Sequence, residues 1–373
     1  VADKGYVWFS SGSDVTGVAL AEALKFDSGK KTPDFSKYAV VIGWGCKPGE
    51  KYSKEVVDGL VSAGKLRLVN HPEDVVISRD KLAFYKSLAK AGAKVPAFIE
   101  KGSLEFNAFK AQILAALRNS TLRTPILGSD RFNKVGPHFC YTAEDVEALF
   151  ASPASIKDVD YFRAYVPGDE FRIHVFRDLF LVVQKKVLAK DPVATTATAL
   201  REKATKVAEK DGKPFTSSKA DMDRLSVVFA QEMLRAPSHV LRSVGRGWDF
   251  EDQDLEKVPE ELMLLAGKAL ETARLDMGVV SISLDPSGPT ITNITTAPAL
   301  TANHLIAYTA AVTEFMEAGK KVAVRRFKSD KSAAATTAAA RPTEQEVKAS
   351  LQLKLSNMSP EKLEKLRALV DKL

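Results

Sequence analysis

The chain has 373 residues, of which 45% are hydrophobic and 27% charged, and its formal net charge is +7. This composition excludes disordered and fibrous classes and supplies enough chain for two or three domains. No apolar run approaches the roughly 18 residues of a membrane span, and the opening VADKGYVWFSSG has neither the basic stretch nor the apolar core of a secretory signal, so a cytoplasmic protein is expected. Cys46 and Cys140 form no metal or redox spacing, which fits a reducing compartment. The positive charge suits a phosphate-bearing partner. Its lysines and arginines are interleaved with acids, and zinc-finger, basic-zipper and aromatic RNA-binding signatures are missing. A solvated basic surface is therefore expected, rather than nucleic-acid binding by the lysine-rich stretch 185–225.

Residues 1–75 alternate in an α/β manner. YVWF (6–9) reads as a strand, 17–24 as a helix, YAVVIGW (38–44) as a continuous apolar strand and KLRLV (65–69) as a shorter one. Strands separated by helices, one apolar throughout, predict a parallel sheet covered on both faces. The intervening SSGSDVTG lacks the Lys-Ser/Thr of a P-loop and the full glycine pattern of a dinucleotide site, so it is read as a strand-to-helix turn. Residues 80–88 have helical apolar spacing, Gly92 fits the stop, and VPAF (95–98) leads into extended chain. Next come a helix over 106–117, a strand over 121–126, the polar loop LGSDRFNKVGPH, and a strand over 139–142. A further helix is opened by the cap Thr142 with acids behind it.

Residues 161–188 read as a β-hairpin, with YFRAYVP leading into EFRIHVF, Arg177-Asp178 at the turn and LFLVVQKKV returning. In EFRIHVF, Glu170, Arg172 and His174 share one face, and Phe171, Ile173 and Val175 the other. The apolar face is core; the polar face either meets solvent or lines a charged ligand. A lysine- and alanine-rich helical excursion over 190–236 is broken at Asp211-Gly212, and a helix follows over 259–274. GVVSISLDPSGPT and ITNITTAPALTANH then form a second two-strand unit before a helix over 304–317. SDKSAAATTAAAR (329–341) is a low-complexity linker. Beyond it Thr343 and Glu346 make a capping box, and Ser359-Pro360 open a helix with an apolar stripe of Leu363, Leu366, Leu369, Val370 and Leu373. Either the chain's own domain or a partner protein would cover that stripe.

The ordered set of Asp80-Lys81-Leu82, VPAF, EFRIHVF…VVQKK, LRSVGRGW, LDMGVVSISL and ITNITTAPAL resembles the ATP-grasp superfamily over about residues 1–320. It resembles in particular the glutamate-ligase-like carboxylate–amine ligases, and is similar to small ATP-grasp proteins of tailed phages. The resemblance implies an α/β fold, α+β in part. A parallel pre-ATP-grasp domain would span 1–75, a lid subdomain 76–160 and a C-terminal subdomain 161–328 holding the helical insertion 190–236. The linker 329–341 and a helical tail over 342–373 would follow. It implies ATP as the bound nucleotide, with Arg123 against its phosphates and a mobile loop running from Gly128 to Gly136 over it. Strand 160–166 would meet adenine through its backbone. Glu170 and Arg172 match the acidic-x-basic pair, Lys185 or Lys186 the basic position on the partner strand, and Arg242 the arginine near an acyl-phosphate. For a phage-encoded chain the setting would be the host cytoplasm or the virion.

The metal positions depart from the family pattern. G-A-V-D and L-E-V-N-T-A-P become GVVS and ITNITTAP, with Ser281 at the aspartate, Asn293 at the glutamate and Thr295 at the asparagine. Magnesium prefers anionic oxygens, and these three residues offer neutral ones. Asp276 and Asp285 flank the strand without matched spacing. The expectation is a nucleotide-binding module with weakened or lost ligase chemistry, disfavoured magnesium and a protein partner for its C-terminal helix. The alternative is an active ATP-dependent carboxylate–amine ligase that forms an acyl-phosphate.

Overall fold

A computed structural model describes residues 4–10, 14–118, 126–132, 138–211, 219–235 and 247–317. The leading unit runs β1 (Gly5–Phe9), α1 (Asp14–Leu24), β2 (Asp27–Gly29), β3 (Val40–Trp44), α2 (Lys54–Ser62) and β4 (Arg67–Val69). Its sheet is parallel throughout, in the order β2-β1-β3-β4. Every residue of β1 and β3 is buried, as expected of apolar strands covered on both faces. The edge strand β2 was not expected: its three residues, DSG, carry no apolar pattern and are held by pairing with β1.

The middle unit holds α3 (Pro72–Arg79), α4 (Lys81–Lys90), β5 (Phe98–Glu100), α5 (Phe106–Arg118), β6 (Ile126–Ser129), β7 (His138–Cys140), α6 (Ala143–Ala151), α7 (Pro153–Ile156) and β8 (Tyr161–Ala164). Its strands form an antiparallel sheet in the order β5-β8-β6-β7. Thr142 and Asp145 close a capping box at the start of α6, each side chain accepting from the other's backbone N–H. Of the strand expected over 121–126, only Ile126 lies among the described residues. Ile126 to Ser129 hydrogen-bond to β7 and β8 on either side, so Leu127, Gly128 and Ser129 are strand rather than loop.

The last unit comprises β9 (Asp169–Phe176), β10 (Leu179–Leu188), α8 (Pro192–Asp211), α9 (Lys219–Arg235), β11 (Trp248–Gln253), α10 (Glu260–Thr272), β12 (Met277–Asp285), β13 (Gly288–Thr295) and α11 (Ala302–Glu317). The antiparallel order is β11-β10-β9-β12-β13. The hairpin turn at Arg177-Asp178 is present, with Arg177 at φ 54°. YFRA, however, belongs to the middle sheet. The break falls at Gly168, whose φ of +94° and approach to the Leu284 carbonyl leave no room for a Cβ. One face of the last sheet (Phe171, Ile173, Val280, Ile282, Ile291) packs on α10 through Leu262, Ala266 and Ala269. The other face turns toward the middle sheet. The linker 329–341 and the tail 342–373 lie outside the described residues.

The parallel unit is joined to the last sheet by one buried amide. Asn70 follows β4 in the left-handed region, φ +59°, a conformation asparagine tolerates better than most residues. Its Oδ1 accepts from the backbone N–H groups of Asp276 and Met277, both at 2.9 Å. Its Nδ2 donates to the carbonyls of Met277 (2.8 Å) and Gly43 (3.4 Å), and its own N–H donates to the Asp276 carboxylate at 2.9 Å. Arg67 adds a second tie by donating to the last carbonyls of α11, Phe315 and Met316. Asn70→Ala strands several buried backbone groups, each costing about 1–3 kcal/mol. Urea denaturation should show a loss of about 3 kcal/mol or more with an unchanged slope.

Candidate functional site

The polar face of the last sheet is built in rows. Antiparallel partners point the same way, so register decides which side chains meet. In one row Phe250 of β11 faces Lys186 of β10, and Glu170 of β9 faces Ser283 of β12. Lys186 Nζ joins the two halves by pairing with Glu170 Oε1 at 2.6 Å. The next row runs Asp252, Gln184, Arg172, Ser281, Asn293 from β11 to β13. Between Ser281 and Ile282 the register of β12 and β13 slips by one residue, leaving Thr292 as a bulge at the cleft wall.

Helix α4 lies along the β13 edge. The Tyr85 hydroxyl donates to the Thr292 carbonyl (2.7 Å) and Lys81 Nζ to the Ile294 carbonyl (2.9 Å). These contacts satisfy edge carbonyls and bring a lysine into the site. The opposing wall comes from the middle sheet: Leu127, Phe139, Tyr161 and Arg163, with Tyr165 and Val166 at the crossing. Between the walls is a cleft of about 310 Å³.

Its charge is one-sided. Lys81, Arg163, Arg172 and Lys186 line it with the single carboxylate of Glu170. Among the described residues neither guanidinium makes an ion pair or a hydrogen bond, and Arg172 lies over the Phe250 ring at 4.7 Å. Lys81 is only 8% exposed. Burial, reinforced by Arg163 and Arg79, pushes its pKa down to about 8. Burial likewise lowers Arg172, with Glu170 opposing the shift. Four cations facing one carboxylate give the cleft a net positive charge that would suit an anion, and planar guanidiniums suit phosphate in particular.

The same residues do not suit a divalent cation. The hairpin presents the hydroxyls of Ser281, Ser283 and Thr292 and the amide of Asn293, and Glu170 is held by Lys186. Asn293 Nδ2 donates to Thr295 Oγ1 at 3.4 Å, while its buried Oδ1 has no partner among the described residues. Asp276 is engaged by Asn70 and Arg177, and Asp285 by Ser287 at the hairpin turn. Among the described residues no group of three or more His, Cys, Asp or Glu is placed to hold a metal.

Of the residues singled out from the sequence, Glu170, Arg172 and Lys186 meet in the cleft with Ser281 and Asn293. Lys185 pairs with Phe171 in register and lies on the other face, bridged to Asp169 at 2.7 Å. Gly128 lies in β6, where an added Cβ would meet Leu149, Val159 and Phe162 at 3.3 Å, on the side away from the cleft. Arg123, Gly136 and Arg242 lie outside the described residues. Sequence reasoning missed Lys81, Tyr85, Arg163 and Phe250. Period-two spacing of Tyr161, Arg163 and Tyr165 was a usable signal for Arg163, whereas a lysine opening a helix reads as surface.

No protein-family model matches the sequence, and no curated protein matches it significantly. Among solved structures, the fold is similar to D-alanine–D-alanine ligase from Bacillus anthracis complexed with ATP, at 14% identity and TM-score 0.49, over 85% of this chain and 99% of that one. It is similar to the ATP-grasp ligase PsnB complexed with a minimal precursor, at 11% identity and TM-score 0.49, over 84% and 99% of the two chains. It is also similar to a RimK-domain ATP-grasp protein from Sphaerobacter thermophilus, at 11% identity and TM-score 0.47, over 82% and 98%. The chain is a mixed α/β protein with one parallel and two antiparallel sheets among the described residues.

Proposed function

We propose that this chain is a nucleotide-binding module of ATP-grasp type. It would hold a nucleoside triphosphate between its two antiparallel sheets, with ligase chemistry weakened or lost. The observation that carries this reading is the convergence of Lys81, Arg163, Arg172 and Lys186 on a cleft with one carboxylate. A triphosphate supplies the missing negative charge, and Leu127, Phe139, Tyr165 and Val166 offer apolar surface for a base. Phosphoryl transfer ordinarily relies on a bound divalent ion to neutralise developing charge. Here fixed side-chain cations face the phosphates, and the paired carboxylates that would anchor such an ion are replaced by Ser281 and Asn293. These features support binding without turnover. The apolar stripe from Leu363 to Leu373 would engage a protein partner in this reading. The competing reading, an active carboxylate–amine ligase, is favoured by Glu170, whose carboxylate lines the same space.

Titration calorimetry should detect ATP binding in EDTA, magnesium should not tighten it, and no ADP should form. Magnesium-dependent ADP formation with a carboxylate acceptor present would establish the ligase reading instead.

Charge removal should act by position. Arg172→Met or Lys186→Met should weaken ATP binding about 10- to 100-fold, the scale of a charge-assisted hydrogen bond. Lys185→Met, on the far face, should change it by less than about twofold.

Affinity should also depend on pH through Lys81. Its folded pKa is near 8 against an ordinary 10.5. The free protein keeps the ammonium below about pH 8 and loses it as pH rises through that value, so binding should weaken on the alkaline side. Affinity measured from pH 6.5 to 9.5, about the span that brackets this titration, should fall in the native chain and stay flat in Lys81→Met.

A further inference from the structure

Beneath Arg172 the same face of the last sheet carries a run of polar groups. His174 and Tyr308 are fully buried, and Gln184 and His304 nearly so. Asp252, at the outer end, has a half-exposed side chain. The run has one direction. Asp252 can only accept, so Gln184 points Nε2 toward Asp252 Oδ1 (3.1 Å) and Oε1 toward His174 Nε2 (3.2 Å). His174 therefore carries its proton on Nε2, and its Nδ1 accepts from the Tyr308 hydroxyl at 3.1 Å. From the other side, the Thr301 N–H donates to His304 Nδ1 at 3.4 Å, which puts the His304 proton on Nε2. That proton faces both Asp252 oxygens, at 3.1 and 3.3 Å. Burial first, then Arg172 and His304, hold the His174 pKa down to about 3, so His174 stays neutral and the order of donors persists at physiological pH.

This arrangement bears on Arg172. Gln184 stands opposite Arg172 in register, and Asp252 is next along the same row. Left alone, either would offer the guanidinium an acceptor. Instead Gln184 Oε1 is taken by His174, and Asp252 is shared by Gln184 and His304. The guanidinium rests on the Phe250 ring with no ion pair or hydrogen bond among the described residues.

We propose that the run from Tyr308 through His174, Gln184 and Asp252 to His304 is a positioning device for Arg172. It engages Gln184 Oε1 and the Asp252 carboxylate, the acceptors on the β10 and β11 side of that row, and keeps the guanidinium available to an anionic ligand. The inference rests on the nucleotide reading above. The histidines and Gln184 are positioning residues, acting through Arg172 without touching the ligand.

The test is a double-mutant cycle read by calorimetry with ATP in EDTA. His304→Leu frees Asp252, and affinity should fall about three- to thirtyfold; His304→Gln, which can still donate to Asp252, should restore most of it. In an Arg172→Met background the His304→Leu effect should vanish. Asp252→Ala is the second variant, at a half-exposed side chain, and its folding is checked by urea denaturation before binding is read. It lets Gln184 turn Oε1 toward Arg172 as His174 moves its proton to Nδ1, where the Tyr308 hydroxyl can accept it, and should show the same fall and the same dependence on Arg172. Equal losses with and without Arg172, or no loss in the Asp252→Ala protein, would overturn the inference while leaving nucleotide binding intact. Failure of the native chain to bind ATP would instead remove the reading beneath it.

Discussion

The meeting of α4 with the last sheet depends on the buried amide of Asn70. It satisfies two N–H groups and two carbonyls at the junction of β4, β3 and β12, and its left-handed backbone turns the chain directly into α3 and then α4. Because the same residue grips the start of β12, the helix carrying Lys81 and the hairpin it touches are referenced to one point. Lys81 and Tyr85 can then reach backbone carbonyls of β13. A side chain of different shape at position 70 would loosen the frame in which the cationic cleft is assembled.

The cationic cleft carries an energetic burden. A lysine 8% exposed, its Nζ donating to a carbonyl and its charge flanked by other cations, costs stability. Its place in a cleft with Arg163 and Arg172, which make no ion pair among the described residues, sets this region apart from the ordinary ion pairs elsewhere on the surface, such as Lys86 with Glu100. Stability given up locally in this way is a common mark of a binding site.

Much of the architecture was legible because strand and helix periods are strong in this sequence. The two-faced pattern of EFRIHVF identified both the α10-facing core and the polar row, and Thr142 announced α6. Register was not legible, and register decides the site. Counted from the turn at Arg177-Asp178 in regular steps, Lys185 would stand opposite Glu170. A slip between Phe180 and Val182 moves the pairing by one residue and puts Lys186 there instead. The slip beyond Ile282 does the same for the second hairpin, setting Asn293 rather than Thr292 opposite Ser281. Each bulge changes which face a side chain occupies, and composition carries no sign of it. Strand β11 escaped notice because half of WDFEDQ is acidic, yet it contributes Phe250 and Asp252. Lys81 escaped because its burial comes from tertiary packing against a distant strand.

The grip of α4 on β13 has a consequence beyond the cleft. An outermost strand normally offers a ladder of free backbone groups to any passing extended chain, which invites strand addition or aggregation. On this flank the Thr292 and Ile294 carbonyls are taken by side chains and the Ile291 N–H donates to the Lys94 carbonyl. The ladder is therefore occupied from within. The opposite flank, β11, alternates Asp249 and Glu251 with larger residues, and repulsion between like charges there discourages a visiting strand of similar character. An extended peptide would thus find no template for sheet extension along β13, and recognition of such a chain would have to rely on side chains.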